Sequence, residues 1–144
     1  IKDLVDQQFD IGEEILSHGL VPIIEPEVDI TIPDKKEAED YLYNNIKRRL
    51  DRIEPSKKVM LKLSLPEHDN FYEPLTRHPN ILRIVALSGG FEKKIAVDRL
   101  RQNNKMIASF SRALTEGLKS NSPEKEFEEQ LDQTIQSIFE ASLT

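Results

Sequence analysis

The stretch Val59-Met60-Leu61-Lys62-Leu63-Ser64-Leu65 is an apolar run that carries one cation and is stopped by Pro66. A short continuous apolar run of this kind, bounded by a breaker, reads as a strand buried on both faces, as in a parallel sheet. A lysine inside such a strand demands a reason. Met60, Leu61, Leu63 and Leu65 beside it would disfavour the charged ammonium and leave an amine lone pair able to attack a carbonyl. The competing reading is a lysine that snorkels from a strand end.

Outward from this strand the pattern alternates. On its N-terminal side, Ile1, Leu4, Val5, Phe9, Ile15 and Leu16 fall on one helical face, and Gly19 supplies a left-handed stop. The run Leu20 to Ile24, ended by Glu25-Pro26-Glu27, predicts a strand covered on both faces. Asp34 with Glu37 forms a capping-box signature ahead of a helix marked by Ala38, Tyr41, Leu42, Ile46, Leu50 and Ile53. On the C-terminal side, a helical turn near Tyr72 to Thr76 precedes a strand over Ile81 to Leu87, closed by Ser88-Gly89-Gly90. Phe91, Ile95 and Leu100 mark another helix. Met106 to Phe110 is a fourth strand, followed by a brief helical turn up to Gly117. Ser122 as cap, Pro123 at the first position, and Phe127, Leu131, Ile135, Ile138 and Phe139 on one face define a last helix.

Strands alternating with helices imply right-handed crossovers and a parallel sheet, so the class is α/β. Glu25, Lys62, Ser88 and Arg112, one at or near the C-terminal end of each strand, are separated by 37, 26 and 24 positions, close to the ~31 residues per unit of an eightfold barrel of ~250 residues. Four such units make half a TIM barrel. The competing architecture is a doubly wound open sheet, whose glycine-rich dinucleotide fingerprint is missing here.

A length of 144 residues suits one domain, taken as residues 1–144. At 38% hydrophobic and 32% charged residues the chain is too apolar to be disordered. A net charge of −6 supplies no broad basic surface for nucleic acid or anionic lipid, so any anion site must be local. The lack of cysteine excludes a disulfide framework and thiol catalysis, and fits a reducing compartment such as the cytoplasm. No apolar run is long enough to span a bilayer. The chain opens at Ile1, already inside a helical pattern, which is the expectation for a fragment.

The unusual polar residues gather at the C-terminal ends of the strands, the face on which barrel enzymes build their active sites. Glu25 and Glu27 are two apart on extended chain, so both side chains share a face and suit proton transfer near an amine. An iminium on Lys62 would withdraw electrons from the neighbouring carbon and let a carbon–carbon bond break without a metal. Ser88, Gly89 and Gly90 lie between a strand and a helix, where main-chain N–H groups can approach a phosphate closely. Ser111 and Arg112 repeat the arrangement and add a guanidinium suited to bidentate contact. Each motif alone also has a bland reading: a solvated strand end, an ordinary turn, a surface ion pair. His18, His68 and His78 show no ligand spacing, so no metal is expected, and the charged residues between Asp34 and Lys58 read as a solvated helix face.

Four segments taken together, Gly19-Leu-Val-Pro-Ile-Ile-Glu-Pro-Glu27, Val59-Met-Leu-Lys-Leu63, Leu87-Ser-Gly-Gly90 and Ser109-Phe-Ser-Arg-Ala-Leu114, resemble class I fructose-bisphosphate aldolase in order and spacing, nearest to the shorter bacterial form. The resemblance implies strands five to eight of the barrel, preceded by helix four. It implies Lys62 as the Schiff-base lysine, Glu25 as the main acid/base and Glu27 as its neighbour. The phosphate of dihydroxyacetone phosphate would lie against Ser88, Gly89, Gly90, Ser111 and Arg112. The implied reaction is reversible cleavage of fructose 1,6-bisphosphate to dihydroxyacetone phosphate and glyceraldehyde 3-phosphate, with no cofactor beyond the covalent imine. The animal enzymes have Lys-Pro-Asn where this chain reads Lys62-Leu-Ser64, and a glycine in place of Ser111. Family members carry an aspartate, further lysines and an arginine on the first four strands. The chain alone is therefore expected to be a weak enzyme that associates through its strand edges or with an N-terminal half. The rivals are another lysine-dependent barrel such as a transaldolase, and a non-catalytic phosphate-binding or scaffold module.

Overall fold

Ile24, Leu61, Ile84 and Met106 stand side by side across four parallel strands, and all four are buried. The computed structural model describes residues 1–144. Its strands are β1 (Ile23–Ile24), β2 (Val59–Ser64), β3 (Ile81–Leu87) and β4 (Met106–Ala108), in the spatial order β1-β2-β3-β4. The helices are α1 (Lys2–Ser17), α2 (Lys35–Leu50), α3 (Lys93–Arg101), the short α4 (Arg112–Thr115) and α5 (Glu124–Ala141), with a 3-10 turn over Glu73–Arg77. The α/β class and the parallel sheet agree with the sequence pattern. The strand order never reverses, unlike that of a doubly wound sheet. Since β1 and β4 each have one strand neighbour, both edges of the sheet are open.

The core lies between the helices and one face of this sheet. Val5 and Phe9 of α1, Leu42, Ile46 and Leu50 of α2, and Leu61 and Leu63 of β2 form one continuous apolar cluster with Ile84 and Leu100. Each such side chain contributes about 1.5–3 kcal/mol by leaving water. Gly12 lets α1 approach β1, because a Cβ there would stand 2.5 Å from Ile24 Cδ1. Arg49, buried on α2, reaches Asp6, Asp10 and Glu13 of α1 and stacks over Phe9.

Four expectations need correcting. The first strand is only two residues long, and Leu20, Val21 and Ile23 are exposed, because β1 is an edge whose outer face has no cover. The Asp34–Glu37 capping box does not form, since Asp34 makes no side-chain cap bond. The charged stretch after it is not wholly solvated: Lys35, Glu39 and Arg49 are buried. Lys35 bonds Glu39 and the Leu65 carbonyl, while the Glu39 carboxylate accepts from the Glu67 amide, so the pair ties α2 to the end of β2. Finally, α5 begins at Glu124 with Pro123 as its cap residue rather than Ser122, and of the five apolar residues that mark it Ile138 packs against the core. Ile135 and Phe139 are about half exposed (48% and 55%), because α5 overhangs the open β4 edge. There the Ser142 hydroxyl accepts from the Ala108 amide in place of a further strand.

Candidate active site at the carboxyl ends of the strands

Strand alternation separates Lys62 from the leucines that flank it. Leu61 and Leu63 point into the helix-covered core, whereas Lys62 shares the other, open face with Val85 and Ile107, its neighbours in register. Of the apolar sequence neighbours expected around it, Leu61, Leu63 and Leu65 are therefore on the other side of the sheet, and only Met60 shares its face. What stands beside the amine is a carboxylate: Lys62 Nζ lies 2.6 Å from Glu25 Oε1, with the two side chains 26% and 43% exposed. The contact follows from register, since Ile24 pairs with Leu61 and the next residue along each chain falls side by side.

The segment that carries Glu25 and Glu27 continues β1 without its ladder. Pro26 has no N–H to give. Two side chains take the place of a neighbouring strand. The Gln8 carboxamide accepts from the Glu25 amide (2.9 Å) and donates to the Glu25 carbonyl (3.2 Å). The Ser64 hydroxyl accepts from the Val28 amide (3.0 Å) and donates to the Val28 carbonyl (2.7 Å). Alternation keeps Pro26 and Val28 buried and leaves Glu25 and Glu27 on the open side.

After β3 the chain turns tightly at Ser88, whose carbonyl accepts from the Phe91 amide. Gly89 and Gly90 both have positive φ (62° and 104°), the mirror-image turn that glycine adopts without strain. A Cβ on Gly89 would stand 2.9 Å from Ile30 Cγ2. None of the loop hydrogen bonds is donated by the amides of Ser88, Gly89 or Gly90. The Arg112 guanidinium reaches this turn, with Nη1 3.9 Å from where a Cβ on Gly90 would be.

These groups share a polar cavity of about 120 Å³. Every candidate residue except Gly90 lines it, and Ser109 and Leu87 join them. A larger, mostly apolar recess of about 640 Å³ opens beside it between β4 and α5, and Lys62, Ser109 and Ser111 line both. Glu25, Glu27, Lys62 and Arg112 all line the smaller one, and of these only Lys62 lines the larger. His18, His68 and His78 stand apart: His78 is engaged with Asp51 and the Asn80 amide. No group of three or more His, Cys, Asp or Glu side chains could hold a metal ion. Sequence reading missed Gln8, Ser64 and Ser109. Only Ser64 had a usable signal, being two residues past Lys62 on the same strand beside a proline-interrupted partner.

The whole chain is 51% identical to a protein of Clostridium acetobutylicum described as "Fructose-bisphosphate aldolase class 1", of which it covers 49%. The chain belongs to the class 1 fructose-bisphosphate aldolase family. Aldolases of the same description from Synechocystis and Porphyromonas gingivalis are 49% and 48% identical over 100% and 99% of the chain, and it covers 48% of each. The chain thus spans about half the length of the curated aldolases it matches. No family model matches it.

Proposed function

We propose that the chain supplies the imine-forming half of a fructose-bisphosphate aldolase, as strands five to eight of a TIM barrel with helix four before them. The observation that carries this is the 2.6 Å contact between Lys62 Nζ and Glu25 inside a cavity that also holds the glycine turn and Arg112. On this reading Lys62 attacks the ketone carbon of the sugar phosphate. Glu25 gives a proton to the departing hydroxyl of the carbinolamine, and water leaves as the iminium forms. The hydroxyl on the far side of the scissile bond then loses its proton to a carboxylate. The carbon–carbon bond breaks with its electron pair delocalised onto the iminium as an enamine. Glyceraldehyde 3-phosphate departs first, and protonation and hydrolysis of the enamine release dihydroxyacetone phosphate. Glu27 is the neighbouring carboxylate. The free amides of Ser88 to Gly90, the Ser111 hydroxyl and the Arg112 guanidinium would hold the phosphate.

The partner is a sugar phosphate, in the cytoplasm, with neither nucleic acid nor membrane involved. No helix of the chain is long and apolar enough to cross a membrane. The two open strand edges and the half-length match favour a further polypeptide half closing the sheet, without which the chain is a poor catalyst. The test is cleavage of fructose 1,6-bisphosphate by the chain alone and completed with the complementary half of the Clostridium relative. Completed protein should cleave it, chelators should not slow it, and Lys62→Arg should abolish it. Undiminished cleavage by Lys62→Arg refutes the reading.

A further inference from the structure

The geometry points to Gln8 and Ser64 as positioning residues that set Glu25 against Lys62, an inference that rests on the reading of Lys62 given above. The segment from Glu25 to Val28 has no strand ladder of its own, yet it must hold the Glu25 carboxylate 2.6 Å from the amine. At each end, one polar side chain bonds both the amide and the carbonyl of a single residue, which is what a paired strand would do. Gln8 does so at Glu25, reaching across from α1. Ser64 does so at Val28 from β2, only two residues beyond the lysine.

The two anchors differ in what they fix. Ser64 is almost wholly buried, so its hydroxyl couples the glutamate segment directly to the strand that bears Lys62. Gln8 is half-buried and sets the distance of the same segment from α1. Between the anchors lie only Pro26, with φ fixed by its ring, and Glu27. Held at both ends, so short a stretch leaves its carboxylates little freedom. Loss of either anchor frees it to shift by about 1 Å, which can cost up to ~100-fold in rate when reacting groups are misplaced.

The test uses the completed protein and follows the rate of borohydride-trapped imine at Lys62 with dihydroxyacetone phosphate across pH, beside thermal melting. Gln8→Leu and Ser64→Ala should trap about 10- to 100-fold more slowly. Their pH profiles should approach that of Glu25→Gln; Gln8→Leu should melt near the parent, and Ser64→Ala lower, since it strips the Val28 amide and carbonyl of their partner. Ser64→Thr, which keeps the hydroxyl, should recover most of the rate. Should its added methyl disturb the buried site, Gln8→Leu decides the matter alone. Variants that trap at the parent's rate with the parent's pH profile overturn the inference and leave the reading of Lys62 intact. No adduct at Lys62 in the parent defeats that reading, and the inference with it.

Discussion

The two faces of the sheet differ in kind, although single strands build both. On the helix-covered face, Ile24, Leu61, Ile84 and Met106 form a buried row that any apolar residue of suitable volume could join. On the open face, one position further along, Lys62 meets Glu25, so that row sets an ion pair beside Val85 and Ile107. Residues adjacent in a strand are thus strangers in space, and the environment of Lys62 is set by the neighbouring chains.

The largest expected effects lie on the covered side. Lys35→Met leaves the Glu39 carboxylate buried without its partner and should cost about 3–5 kcal/mol in chemical denaturation. Leu61→Ala should cost about 2–5 kcal/mol through lost burial and the cavity left behind. Lys62→Ala, its immediate neighbour, removes a partly exposed ion pair and should change stability by less than about 1 kcal/mol. Equal losses at residues 61 and 62 would erase the contrast between the faces. Tyr72→Phe sharpens it. The Tyr72 hydroxyl is buried with no hydrogen-bond partner, and burial, with Glu39 and Asp40 nearby, pushes its ionisation far up. Removing that oxygen should be neutral or stabilising by about 1 kcal/mol.

The smallest effect concerns pH. Hydrogen bonds from Lys2, then Arg48 and Arg49, hold the Asp6 carboxyl well below the usual carboxylate range. A depressed carboxylate contributes stability that is fully present above its unfolded value of about 4 and is lost as pH falls below it. Asp6→Asn should therefore melt slightly lower at neutral pH and show a shallower decline in melting temperature below about pH 4. A parallel decline in both proteins contradicts the assignment.

Much of this was legible in the residues because strands and helices have different periods. The run Ile81 to Leu87 gave its strand with both ends correct, and Gly19 marked the end of the first helix. Glu25, Glu27, Lys62, Ser88 and Arg112 were legible as a set because each lies within or shortly after the C-terminal half of a strand, and Glu25, Lys62 and Ser88 interrupt or end an apolar run. The apolar face of α5 gave the helix but not its surroundings, since periodicity shows that a helix has such a face and not that this chain covers it. The neighbours of Lys62 misled for the reason of alternation. Gln8 was invisible: a glutamine on a helix looks the same whether it faces water or holds the backbone of another segment.

The most direct measurement of the central claim is peptide mapping of the completed protein after borohydride reduction with dihydroxyacetone phosphate. A single adduct on Lys62, lost in Lys62→Arg, is the predicted result. An adduct on any other lysine, or none at all, contradicts the account.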